Sequence, residues 1–111
     1  MMIWIDPDRC DPPHRVSHGD KLVDLANEFV ERGWGENYPA LIGYMLEGRL
    51  QLLSGTHRHK AAEMAGIRLP VIVRDYDDVS RAWGTEAWAD IMDAPSVRLL
   101  TLESAAKLGL S

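Results

Sequence analysis

The chain has 111 residues, the size of one small domain with a single hydrophobic core. Hydrophobic residues make up 46% and charged residues 26%, a globular mixture that excludes a disordered or fibrous chain. Twelve Lys and Arg against seventeen Asp and Glu give a net charge of −5. An autonomous DNA-binding protein, which needs a basic surface, is therefore not expected.

Secreted and membrane-spanning classes are also not expected. The apolar stretch Met1 to Ile5 is too short for a secretory signal, and the longest later run, Ala40 to Leu46, is far below the ~20 residues of a membrane span. The single Cys10 cannot form an internal disulfide, which is typical of a reducing compartment. We expect a cytoplasmic protein with no membrane partner.

The first third of the chain predicts a strand, a loop and a helix. Met1 to Ile5 is apolar and is stopped by the turn-forming Asp6-Pro7-Asp8, which indicates a strand. Cys10 to His18 contains two prolines and is expected to be a loop. Apolar residues then recur at helical spacing from Asp20, the candidate N-cap, until Gly33 ends the helix.

The middle of the chain predicts two adjacent strands and a second helix. Ala40 to Leu46 and Leu50 to Leu53 are apolar segments separated by the turn Glu47-Gly48. Ser54-Gly55-Thr56 breaks the second strand, and His57 to Ala65 has the composition of a short helix.

The last third predicts a strand and two helices. Leu69 to Val73 is rich in β-branched residues and is followed by three aspartates. Ser80 to Met92 and Leu102 to Leu108 are predicted to be helical. The tryptophans Trp34, Trp83 and Trp88 are expected first to pack in the core, and stacking on a base or forming a dimer face are the alternatives.

Four short strands and four helices without a repeat or linker predict a small α/β fold with a short mixed sheet. We expect residues 1–111 to form a single domain, with its core over residues 2–75 and a helical extension over residues 76–111.

The most informative stretch is Leu52 to Ala62, where a strand leads through a glycine turn into a helix with a cationic first turn. Helix N-termini bind anions through unpaired N–H groups, and Gly55 would let a ligand approach the backbone. Arg58 and Lys60 add positive charge, while the Thr56 hydroxyl can cap the helix or donate to a phosphate oxygen. This pattern predicts a phosphate-binding turn, although an ordinary helix start with surface basic residues has the same spacing.

Two histidines in this helix have different expected environments. By helical spacing His57 lies in line with Ala61 and Ala65 on the face toward the sheet, where it can pack or donate to a phosphate. His59 falls on the opposite side, four residues before Glu63, and is expected to be exposed and to pair with that carboxylate.

The order of these elements and two stretches resemble the N-terminal domain of the ParB and sulfiredoxin superfamily. The stretches are Leu53-Ser54-Gly55-Thr56-His57-Arg58-His59-Lys60-Ala61-Ala62 and Gly66-Ile67-x-x-Pro70-Val71-Ile72-Val73, and the resemblance covers about residues 2 to 75. In partition proteins of this superfamily the corresponding glycine, arginine and helix start hold a nucleotide's triphosphate, and in sulfiredoxins the equivalent run binds ATP. The resemblance implies a ParB/sulfiredoxin-like fold.

The resemblance also implies a ligand and the residues that bind it. The ligand would be a nucleoside triphosphate, ATP or CTP, with Mg²⁺. Arg15, in Pro13-His14-Arg15, matches the arginine that follows the family's proline loop. The implied nucleotide-binding residues are Gly55, Thr56, His57, Arg58, Lys60 and Arg15.

Catalytic activity is left open by the sequence. If the nucleotide is hydrolysed or its phosphoryl group transferred, the candidate residues are His57, Glu36, Asp6 and Asp8. Thr56 stands where sulfiredoxins have their reactive cysteine, so sulfinic-acid repair is not expected. No set of metal-ligating side chains with a familiar spacing is predicted.

Two other functions stay open. One is a non-enzymatic accessory module of a partition-like, phage or plasmid system that binds a protein partner or a second copy of the chain. The other is a ParB-like DNA-binding protein or nuclease, which the acidic composition disfavours. Thr101 to Ser111 is similar to the first helix and turn of a helix-turn-helix, or is only a capped helix.

Overall fold

The computed structural model describes residues 2–16, 19–35 and 38–92. Within them, the strands are β1 (Met2–Ile5), β2 (Cys10–Asp11), β3 (Leu41–Leu46), β4 (Arg49–Leu52) and β5 (Leu69–Arg74). The helices are α1 (Gly19–Arg32), α2 (Thr56–Ala65), α3 (Tyr76–Ala82) and α4 (Trp88–Met92), with a 3-10 helix at Pro7–Arg9. None of these helices is long and apolar enough to cross a membrane. The helix predicted at Leu102 to Leu108 lies outside the described residues.

The five strands form one mixed sheet in the spatial order β1-β5-β3-β4-β2. β1 pairs with β5 and β3 with β4 in antiparallel fashion, whereas β3 pairs with β5 and β2 with β4 in parallel. The predicted α/β fold with a short mixed sheet is therefore confirmed.

The main core lies between one face of the sheet and the helices α1 and α2. The apolar stripe of α1 buries Leu22, Ala26 and Phe29, and the aromatic rings of Phe29 and Trp34 stack with centroids 5.1 Å apart. The sheet contributes side chains that are completely buried, and each such burial stabilises the fold by about 1.5–3 kcal/mol. They are Leu41, Leu50, Leu69 and Val71.

A second, smaller apolar layer covers the other face of the sheet. Ile42 and Ile72 are neighbours in the parallel β3–β5 pair and are buried, as are Val79 and Ala82 of α3. Arg74, at the end of β5, donates from Nε to the Ile91 carbonyl oxygen at 3.1 Å. A cation at the end of α4 also complements the helix dipole, so α4 is tied to the C-terminal end of β5.

The helix predicted over Ser80 to Met92 is wrong in its bounds, because two shorter helices occupy the region. Asp75 caps α3 by accepting hydrogen bonds from the amides of Asp77 at 2.9 Å and Asp78 at 3.3 Å, which starts the helix earlier. Gly84, with a φ of 73°, then interrupts the helical backbone before α4.

Two further expectations are corrected. Strand β2 falls inside the segment expected to be a loop, because Cys10 and Asp11 pair with Leu50 and Gln51, which are far away in the sequence. The sheet accordingly has five strands rather than four. Helix α1 begins at Gly19, so Asp20 lies in its first turn instead of capping it.

Gly55 is the residue that joins the sheet to α2. It adopts the left-handed conformation, with a φ of 83°, and serves as the N-cap of the helix. A Cβ atom at this position would lie 2.9 Å from Leu41 Cδ1 and closer still to Cδ2. Glycine is required here both by the backbone conformation and by the packing of β3 against the turn.

Substitution of Gly55 by alanine is expected to destabilise the protein more than the same substitution at Gly66. Gly66 has a similar φ of 70°, but an alanine methyl group there would meet only open space. The left-handed conformation costs Gly66→Ala about 1–2 kcal/mol, and overpacking against Leu41 raises the loss for Gly55→Ala to about 2–5 kcal/mol. Urea unfolding of both variants measures the difference; equal losses would contradict the packing role of Gly55.

Candidate functional site

A cleft of about 760 Å³ lies between the segment 7–16 and the first turns of α2. The segment 7–16 supplies an apolar wall with Pro7, Pro12 and Val16, and α2 supplies a polar wall with Thr56 and Lys60. A cavity of this size with a few convergent polar groups is typical of a small-molecule binding site.

The cleft brings together only some of the predicted site residues. Asp8, Arg15, Thr56 and Lys60 line it, from two segments far apart in the sequence. Four other predicted residues are not among its lining residues: Asp6, which pairs with Arg68 at the surface at 3.3 Å, and Gly55, His57 and Arg58 at the start of α2. Glu36 is outside the described residues.

The start of α2 opens onto this cleft without a side-chain cap. Thr56 is the first helical residue rather than the cap, its side chain is 4% exposed, and it lines the cleft. Its hydroxyl has no hydrogen-bond partner among the described residues. Leaving a buried hydroxyl unpaired costs about 1–3 kcal/mol, so the Thr56 hydroxyl lowers the stability of the folded protein.

Two cations lie beside this helix start. Lys60 donates from Nζ to Glu63 Oε1 at 2.6 Å, and this hydrogen bond lowers the pKa of Glu63. Arg15 is exposed and forms no ion pair with a carboxylate in the described ranges. Arg15 is therefore the cation with the least competition for an incoming anion.

Arg58 is directed toward the segment that follows α1 instead of toward the cleft. Its Nη1 donates to the Pro39 carbonyl oxygen at 3.0 Å, and its guanidinium carbon lies 5.8 Å from the centroid of the Trp34 ring. Burial lowers the pKa of Arg58. Arg58 therefore has a structural role, because it attaches the segment after α1 to α2. Its predicted role in ligand binding stays a prediction.

His59 is buried, which corrects the expectation that it is exposed and pairs with Glu63. Its side chain is 5% exposed, and its Nε2 lies 2.7 Å from the Pro7 carbonyl oxygen, to which the ring N–H donates. The row of residues at Thr56, His59 and Ala62 faces inward because α2 packs on the 3-10 helix as well as on α1. The helical spacing of α2 could not predict the contact between His59 and Pro7, because the two residues are 52 positions apart in the sequence.

An ion pair that the sequence did not indicate holds the opposite wall of the cleft. Arg49 of β4 donates to Asp11 Oδ1 from Nη2 at 3.0 Å and to the Asp8 carbonyl oxygen at 2.9 Å. Gln51 adds a hydrogen bond from Nε2 to Asp11 Oδ2 at 2.6 Å. The hydrogen bonds from Arg49 and then Gln51 lower the pKa of Asp11. This network fixes the segment 7–16 on the sheet edge.

Cys10 and the acidic residues give no sign of a metal centre. Within the described ranges, no three His, Cys, Asp or Glu side chains gather closely enough to hold a metal ion. Cys10 lines the cleft, but burial raises the pKa of its thiol to about 12, so the thiol stays protonated and unreactive at neutral pH.

Comparisons with known proteins agree with this architecture. No family model matches the sequence. The chain is 31% identical over 71 residues to the chromosome-partitioning protein ParB of two strains of Caulobacter vibrioides, a match that covers 63% of this chain and 23% of each ParB. The chain therefore spans about a quarter of the length of the relatives it matches.

Two solved structures have a similar fold. One is a C-terminally truncated ParB from Caulobacter crescentus complexed with CTP-gamma-S, with 25% identity, a TM-score of 0.57 and coverage of 71% of this chain and 47% of that chain. The other is sulfiredoxin from Arabidopsis thaliana, with 17% identity, a TM-score of 0.57 and coverage of 73% and 94%. The protein has a ParB/sulfiredoxin-like domain, as its sequence predicts.

The network around Asp11 predicts a pH-dependent stability. Because the folded protein lowers the pKa of Asp11, its contribution is present above the unfolded value of about 3.9 and is lost as the pH falls through the lower folded value. The pair is partly exposed, so Asp11→Asn is expected to cost about 1 kcal/mol at most at pH 7 and less at about pH 2.

Urea midpoints at the two pH values test this expectation, with Asp24→Asn on the exposed side of α1 as the control. A loss for Asp11→Asn that is the same at both pH values would show that the ion pair does not contribute.

Proposed function

We propose that this protein binds a nucleoside triphosphate in the cleft, with the phosphates at the N-terminus of α2. The observation that carries the proposal is the buried, unpaired hydroxyl of Thr56 at an uncapped helix start. Such a start presents backbone N–H groups and a partial positive charge, both of which favour an anion. A phosphate oxygen would satisfy the hydroxyl that the protein itself leaves unpaired.

The likeness to a ParB complexed with CTP-gamma-S supports a nucleotide as this anion and makes CTP the first ligand to test. ATP is the second, through the resemblance of the Gly55 to Arg58 turn to that of sulfiredoxins. The apolar wall formed by Pro7, Pro12 and Val16 offers a surface for the base.

Positive charge from two segments would neutralise the phosphates. Arg15 comes from the loop before α1, and Lys60 comes from the second turn of α2. Lys60 would exchange Glu63 for a phosphate oxygen at small cost, because partly exposed ion pairs contribute about 0.2–1 kcal/mol. Arg58 and His57 belong to the same helical turn, and Arg58 would contribute through its charge while it stays bonded to Pro39.

A divalent cation would enter with the nucleotide rather than occupy a site built by the protein alone. Mg²⁺ prefers oxygen ligands and is commonly held by one or two carboxylates together with substrate phosphates. In the cleft, the Asp8 carboxylate and the Thr56 hydroxyl are oxygen groups that fit this chemistry. If the bound nucleotide is hydrolysed, Asp8 is the carboxylate among the predicted catalytic residues that lines the cleft.

The proposal is tested by ligand-dependent stability. Binding to the folded state alone raises the free energy of unfolding by about 2.7 kcal/mol at a ligand concentration of 100 Kd. CTP, ATP and inorganic triphosphate, each with and without Mg²⁺, are compared by thermal unfolding, and released phosphate is measured in the same samples. We expect at least one nucleotide to raise the melting temperature of the wild-type protein.

Thr56→Val is the most informative variant for this test. It removes a hydroxyl that has no partner, so the ligand-free protein is expected to be as stable as the wild type or about 1 kcal/mol more stable. Nucleotide binding is expected to weaken about tenfold or more, since hydrogen bonds to charged groups contribute about 1.5–3 kcal/mol. A variant of unchanged affinity would place the ligand elsewhere.

Arg15→Ala is expected to weaken binding in the same way without affecting the fold. The matched control is Arg68→Ala, which removes another exposed arginine that lies outside the cleft. Absence of a stability shift with every nucleotide in the wild-type protein would refute the proposed function.

A further inference from the structure

Four aromatic residues form a surface on the side of the sheet opposite to α1 and α2. This aromatic surface consists of Tyr44 on β3, Tyr76 and Trp83 at the two ends of α3, and Trp88 on α4. Trp83 is 70% exposed and Trp88 is only partly buried, which corrects the expectation that these two residues pack in the core, whereas Trp34 is buried as expected. Tyr76 is 47% exposed. The rings of Tyr44 and Tyr76 lie 5.4 Å apart, and those of Trp83 and Trp88 lie 4.9 Å apart in an edge-to-face arrangement.

The exposure of Trp83 is built into an ordered corner between α3 and α4. The Trp83 amide donates to the Val79 carbonyl oxygen at 3.1 Å, and the Thr85 hydroxyl donates to the Ala82 carbonyl oxygen at 2.8 Å. The Ala87 amide in turn donates to Thr85 Oγ1 at 3.2 Å. Backbone and hydroxyl bonds thus hold the corner while the indole is presented to solvent and supported on one edge by Trp88.

Trp83 forms a shared wall of two small grooves. One has a volume of about 290 Å³ and is lined also by Tyr44, Tyr76, Val79 and Ser80. The other has a volume of about 320 Å³ and is lined also by Gly84, Thr85 and Trp88. Each groove is large enough for one or two side chains of another polypeptide. A contiguous exposed apolar surface with grooves of this size is a candidate interaction site.

The charge around the aromatic surface indicates which polypeptide it fits. Residues 75–92 carry five carboxylates and one arginine, a net charge of −4, and Arg74, which pairs with Tyr44 in the β3–β5 register, brings the charge around the surface to −3. The arginine, Arg81, is paired with Asp78. The carboxylates are those of Asp75, Asp77, Asp78, Glu86 and Asp90, and all five residues are exposed.

We propose that the aromatic surface docks a basic segment of a partner protein, one that carries arginine or lysine next to apolar side chains. Apolar side chains would enter the two grooves, and a cation would lie against the face of Trp83 within reach of the surrounding carboxylates. A preorganised, exposed tryptophan is the residue type that most often dominates the energetics of such interfaces. The aromatic surface shares no lining residue with the cleft in which we propose nucleotide binding. Either proposal can therefore be refuted without affecting the other.

The test uses the full chain and a synthetic peptide rich in arginine and leucine, with a peptide in which glutamate replaces each arginine as the control ligand. The four tryptophan indole N–H signals are followed by NMR during each titration. We expect the signals of Trp83 and Trp88 to shift with the basic peptide and those of Trp4 and Trp34 to stay unchanged. Added salt is expected to weaken the binding, because the carboxylates are exposed.

Matched variants distinguish specific binding at the aromatic surface from nonspecific binding of the peptide. Trp83→Ala is expected to weaken binding of the basic peptide about tenfold or more, whereas Trp4→Ala, which removes another exposed tryptophan that lines neither groove, is expected to leave it unchanged. Asp77→Lys is expected to weaken binding, and Asp20→Lys, in the first turn of α1, is the control for that charge reversal.

Three outcomes would overturn the proposal. The Trp83 and Trp88 signals could fail to shift with the basic peptide. The acidic peptide could bind as well as the basic one. The same signals could already depend on protein concentration in the absence of peptide, which would assign the surface to a second copy of this chain.

Discussion

The close packing of Leu41 against Gly55 is the contact on which the architecture of the site depends. Leu41 lies on β3 and is completely buried, and its methyl groups occupy the space that any side chain at position 55 would need. Glycine is therefore the residue that fits the N-cap of α2, since other residues rarely adopt the left-handed backbone and would also clash with Leu41. The helix start is thus set by the core of the fold.

A glycine N-cap has a chemical consequence, because glycine has no side chain with which to cap the helix. The start of α2 therefore has no side-chain cap, and the buried Thr56 hydroxyl has no partner among the described residues, while Arg49 and Asp11 hold the opposite wall of the cleft in place. Buried polar groups are normally paired, and a group that lacks a partner is expected at a functional site rather than in a structural one. The same constraint that joins sheet and helix therefore produces the uncapped helix start at which we propose that an anion binds.

The features that could be predicted from the sequence are those set by local pattern and chemistry. Helix α1 follows from its apolar spacing, and the helix start at Gly55 follows from glycine chemistry. Strand β2, the inward orientation of His59 and the attachment of Arg58 to Pro39 depend on contacts between distant segments, which a periodicity does not record. The candidate site divides in the same way: the helix start and the wall residues Asp8 and Arg15 were named from the sequence, but the β2–β4 pairing and the Arg49–Asp11 ion pair that hold this wall were not.

The central claim, that the start of α2 is an anion site, is tested most directly by NMR of the backbone amides during titration with CTP and Mg²⁺. The account predicts that the largest shifts fall on the amides of Gly55, Thr56 and His57, with smaller changes at Arg15. Shifts confined to other parts of the protein, with these amides unchanged at saturating nucleotide, would contradict it.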